Sequence, residues 1–126
     1  MVKRIALLVL LALLVGAAIW QRVYVRGITP RLTGALSEVT GALEQEDYER
    51  AVQKSEAFMH LWYKQKPTYE ALFEHDEVDV ITATGESVVS FCRSREAVHA
   101  LADIEAILFH LEHIDLIDSV RWQNVF

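Results

Sequence analysis

Hydrophobic positions along this chain fall into two regimes. From Ile5 to Trp20 every residue is apolar or glycine and none is charged, so a helix built from it has no polar face and expects an apolar medium all round. Beyond Gly27 the apolar positions instead recur in steps of three and four. The first regime predicts a membrane-spanning helix and the second a set of amphipathic helices. The run is somewhat short of the ~20 residues that cross a bilayer, but Val2 and Val23 to Val25 extend it, with nearby arginines snorkelling and Trp20 and Tyr24 suited to the lipid interface.

Four amphipathic stripes follow the anchor. Thr29-Pro30 reads as an N-cap and first helical proline, ahead of Leu32, Leu36, Val39 and Leu43. Gly34 and Gly41 lower the propensity of this first helix, and their common face suggests close approach to a neighbour. Asp47 offers an N-cap to a second helix with Tyr48, Val52, Ser55, Met59 and Trp62, expected to stop at Lys66-Pro67. A third is expected from near Thr68 to Arg93-Ser94, carrying Val78, Ile81, Gly85, Val88 and Cys92. The fourth runs from about Arg95 to near Ile114 on Leu101, Ile104, Leu108 and Leu111. Asp115 to Phe126 has no clear period, although Trp122, Val125 and Phe126 suit docking on the bundle.

Steps averaging about 3.5 residues and short joints give an all-α fold: an N-terminal transmembrane helix followed by a four-helix antiparallel bundle of two helical hairpins. The expected division is residues 1–26 as anchor and 27–126 as the bundle with its C-terminal tail. No run alternates with period two, so no sheet is predicted.

Charge sharpens this picture. The chain of 126 residues carries a formal charge of -6, but from Gly27 onward 8 basic residues face 18 acidic ones, which excludes a phosphate-binding groove and hence nucleic acid. Gly16 and Ala18 leave a cleaved signal peptide as the competing reading, while the length of the run favours a retained anchor. Lys3 and Arg4 favour a cytoplasmic amino end and an extracytoplasmic bundle, against the opposing pull of Arg22, Arg26 and Arg31. Ala12 and Gly16 form a small-xxx-small pair of a kind common in single spans, and no oligomeric state follows from it.

Chemistry-bearing patterns are sparse. No phosphate loop, dinucleotide fingerprint or nucleophile elbow occurs, so no catalytic residue and no cofactor is assigned and the protein is read as a non-enzyme. Cys92 lies on an apolar stripe as a small hydrophobe. His75-Asp76-Glu77-Val78-Asp79 and His110-Leu111-Glu112-His113 are the polar features that stand out. If the third and fourth helices turn at Ser94, positions summing to about 188 face one another, setting Asp76 against Glu112 and His75 against His113. Glu77 and Glu112 then approach, and an imidazole of His75, His113 or His60 is expected between them. The expectation is a structural polar cluster of His60, His75, Asp76, Glu77, Asp79, Glu112 and His113. Its alternative is a metal site drawn from His75, Glu77, Glu112 and His113, although neither the di-iron nor the zinc-protease spacing is present.

The basic start and apolar anchor, Asp47-Tyr48-Glu49-Arg50-Ala51, the Trp62 helix, Leu72 to Asp79, Leu111 to Ile114, and the ending Asn124-Val125-Phe126 form a set of segments along nearly the whole chain. Together they resemble the bacterial domain-of-unknown-function family 4363. The resemblance implies a helical, extracytoplasmic domain on a single-span anchor, a fixed docking site for the tail, and no particular reaction. Where the family pattern leads one to expect a proline and a lysine-rich turn after Ile114, this chain has Asp115-Leu116-Ile117-Asp118. The favoured function is an interaction module binding another membrane or extracytoplasmic protein at the outer face. A metal-binding protein or metal-dependent hydrolase, and a cytoplasmic-facing helical adaptor, are the alternatives.

Overall fold

In the computed structural model, the backbone is described for residues 1–125 and the side chains for residues 1–114. Four helices account for nearly all of it: α1 (Val2–Glu44), α2 (Tyr48–Leu72), α3 (His75–Arg93) and α4 (Ala97–Val125). Packing runs α1 on α2, α2 on α3, α3 on α4 and α4 back on α1, which closes a ring of antiparallel neighbours. The all-α bundle of two hairpins expected from the sequence is what forms.

The expected break at Thr29-Pro30 does not occur. Anchor and first bundle helix are one continuous element, with Pro30 inside it. Pro30 is exposed, while Ile28 and Leu32 on either side are buried and hold the backbone helical through it. Thr33 donates its hydroxyl to the Pro30 carbonyl at 3.1 Å. The same logic carries α2 through Pro67: Tyr69, fully buried beyond it, gives the chain an apolar reason to continue to Leu72. The third helix consequently starts at His75 rather than near Thr68, and the fourth continues past Ile114 to Val125. The side chains of Trp122, Val125 and Phe126, expected to dock on the bundle, lie outside the described residues.

The core follows the stripes closely in α1 and α3, where all four and all five stripe residues are buried. In α4 the buried set is Ala100, Ile104, Ile107, Leu111 and Ile114, with the expected Leu101 and Leu108 only partly buried. The α2 stripe likewise starts on Ala51 rather than Tyr48 or Val52 and includes Phe58. Close approach between helices is made at Gly85, where an added Cβ would run into the Met59 sulfur and lie 3.4 Å from a Phe58 ring carbon. A Cβ at Gly34 or Gly41 would meet nothing within 4 Å, so these two glycines do not mark a contact.

Both hairpins turn in the same way. Glu46 and Arg95 adopt left-handed φ values of 57° and 58°. Around the first, the Glu46 amide donates to Leu43 at 3.1 Å and the Asp47 amide to Ala42 at 2.9 Å. Around the second, Arg95 donates to Cys92 at 3.2 Å and Glu96 to Phe91 at 2.9 Å. This is the six-to-one closure that satisfies orphan carbonyls at a helix C-terminus. The correspondence, 49 positions apart from Glu46 to Arg95, extends into the core: Leu32, Val39, Leu43, Ala51, Phe58 and Trp62 match Ile81, Val88, Cys92, Ala100, Ile107 and Leu111, all buried.

Candidate functional site

Two features of the fold bear on function. The first is the apolar segment of α1, long and apolar enough to cross a membrane and unburied by the rest of the chain. Leu7, Leu8, Val9, Leu10 and Leu11 are each more than half exposed, although successive helical positions point in five different directions. Full burial in the bundle begins only at Val25.

A chain of rings joins this segment to the core. Trp20 stacks on Tyr24 with centroids 5.6 Å apart, and Tyr24 meets the edge of Tyr69 at 6.3 Å. Tyr69 in turn contacts Trp62 at 5.2 Å and Phe73 at 5.4 Å. Polar ends of these rings are satisfied locally: the Tyr24 hydroxyl donates to Gln65, and the Trp62 indole donates to the Thr82 hydroxyl at 2.9 Å. Thr82 passes its own hydrogen to the Val78 carbonyl at 2.8 Å, so the buried indole adds no unmatched group.

The second feature is the polar contact between α3 and α4. Glu77, in the first turn of α3, accepts a hydrogen bond from His110 Nδ1 at 2.8 Å, and His113 Nδ1 lies 3.6 Å from its other oxygen. An ionised carboxylate only accepts, so His110 carries its hydrogen on Nδ1. The side chains of Glu77 and His110 are about three-quarters buried, that of His113 rather less. Phe109, 65% exposed, lies against both imidazoles, 6.3 Å from His113 with the rings nearly parallel.

Of the residues expected to cluster, Glu77 and His113 are brought together. His60, His75, Asp76, Asp79 and Glu112 are exposed, and the Glu77 carboxylate faces imidazoles rather than Glu112. His110 was not among the expected cluster members. The hairpin arithmetic nevertheless pairs Glu77 with a position next to it, because His110 and His113 flank Leu111 on the side of α4 turned to α3. Among the described residues no group of three or more His, Cys, Asp or Glu side chains is placed to hold a metal ion. The cluster's chemistry is that of a polar clamp across two helices.

Cys92 is fully buried, and its burial pushes the thiol pKa up. Tyr63 donates to Glu86 at 2.7 Å, and that bond to a carboxylate raises the phenol's pKa. Neither arrangement activates its group as a nucleophile near neutrality.

Residues 19–125 match the profile of a family described as a domain of unknown function, DUF4363. No curated protein and no solved structure matches the chain.

Proposed function

The chain belongs to the DUF4363 family, and we propose that it is a single-span membrane protein whose bundle is a non-enzymatic docking module for a partner protein at the outer face of the membrane. One observation carries the reading: the apolar part of α1 is exposed on every face yet continues without a break into a packed bundle. In water that surface would be an aggregation site, whereas in lipid it is at home.

Charge supports a protein partner and suggests its chemistry. Within the α3–α4 hairpin, residues 75–114 contain 8 Asp and Glu against Arg93 and Arg95, whereas residues 1–66 contain 6 against 9 Lys and Arg. The α3–α4 hairpin thus presents an acidic surface that selects a basic partner and repels an acidic one. A reporter fused after Phe126 tests the placement, with activity expected only from an extracytoplasmic reporter. Activity of the cytoplasmic version alone would reverse the orientation. Photo-crosslinkers at exposed Asp79 and Glu105 should then give a discrete product in membranes that one at Gln53 on α2 does not. The same products from all three positions would remove the acidic face as the docking surface.

A further inference from the structure

Continuity of α1 fixes how high the bundle stands above the lipid. Trp20 ends the apolar run and Val25 is already fully buried, five positions later, or about 7.5 Å along a helix. No flexible linker intervenes. The ring contacts bring α2 to the same level, because Tyr69 packs on Tyr24 while Trp20 and Phe73 each lie one turn further towards the anchor. Phe73 caps the C-terminus of α2 in extended backbone, and α3 starts two residues later at His75.

We infer that the α2–α3 joint, Phe73 with exposed Glu74, His75 and Asp76, is seated among the lipid headgroups at the level of Trp20, making this joint, rather than the whole near end to which α4 also runs, a membrane-contact surface. The inference rests on the membrane-spanning reading of α1 and adds to it a second, non-covalent contact with the bilayer. Its occupant is the headgroup layer of a zwitterionic phospholipid: Glu74 and Asp76 at the tip disfavour a purely anionic surface and attract the cationic ammonium groups of such headgroups. The opposite end is far away, since Glu44 lies 24 positions beyond Trp20 on the same helix, or about 36 Å.

The test uses the full-length chain with Cys92→Ala and a single new cysteine carrying an environment-sensitive fluorophore, reconstituted in phosphatidylcholine vesicles. The spin-labelled quencher is placed either on the headgroup or at mid-chain. With Glu74→Cys, headgroup quencher should remove most of the emission, whereas with Glu44→Cys it should remove almost none. His75→Cys provides a second tip position should the first variant fold poorly. Leu11→Cys reports the anchor separately through the mid-chain quencher. Quenching at Leu11 without quenching at either tip position would overturn this inference and leave the anchor standing. No quenching at Leu11 would overturn the membrane-spanning reading and this inference with it. Equal quenching at Glu44 and Glu74 would show a bundle lying along the surface and would also overturn it.

Discussion

Individual side chains in this bundle are held by opposing effects of similar size, so substitutions of one type have opposite outcomes at different sites. Gly34 sits in open space within a helix, and Gly34→Ala should stabilise the protein by about 0.5–1 kcal/mol through the lower entropy of the unfolded chain. Gly85 lies under Met59 and Phe58, and Gly85→Val should destabilise it by about 1–3 kcal/mol because the α2–α3 seam must open. Chemical denaturation of the two variants in detergent checks both signs. The Glu77 clamp is partly solvated, so a double-mutant cycle of Glu77→Ala with His110→Ala should give a coupling of only about 0.5–1 kcal/mol. A coupling of several kcal/mol would mean that the group is far more isolated from water than its exposure indicates. Burial raises the thiol pKa of Cys92 above its ordinary value of 9.0. The unfolded chain therefore ionises first as pH rises, and the contribution of this group is full below that value and lost as pH climbs through the folded pKa. Denaturation midpoints measured across the alkaline range should fall more steeply for the wild type than for Cys92→Ala.

Helices here are set by burial rather than by local punctuation. Asp47 behaves as its sequence signature requires, accepting from the Arg50 amide at 3.2 Å. Pro30 and Pro67 do not, because each occupies an exposed position between buried residues and forfeits one backbone hydrogen bond without ending its helix. Removing the proline at the first site restores that bond, so Pro30→Ala should raise the thermal midpoint, with a gain of up to about 3 kcal/mol. A lowered midpoint would show that the proline is needed for the path of α1. The apolar spacing from Leu32 to Leu43 and from Val78 to Cys92 revealed those cores directly. In α4, Leu101 and Leu108 compete with Ala100 and Ile107 at adjacent positions, and periodicity alone does not settle which of two neighbouring apolar stripes turns inward. Of the α3–α4 contact, the register and Glu77 were legible. So was His113, whereas His110, which makes the shorter contact with Glu77, was not, because which face of α4 meets α3 depends on that same choice of stripe.

At the level of the whole molecule, the matching turns at Glu46 and Arg95 divide the bundle into two units, each a pair of helices with its own closure, packed on one shared core and covalently joined through Phe73 and Glu74. Such a chain reads as a pseudo-dimer made covalent, in which the join should be separable from the fold. Residues 1–73 and 74–126 produced as separate polypeptides should find one another. The second fragment, which lacks the apolar run, should appear in the membrane fraction only when the first is present. Its independent appearance there, or its failure to associate, would show that the joint guides folding and does more than tether. If complementation holds, the apparent concentration of one half around the other, rather than any feature of the joint itself, is what the peptide bond between Phe73 and Glu74 supplies.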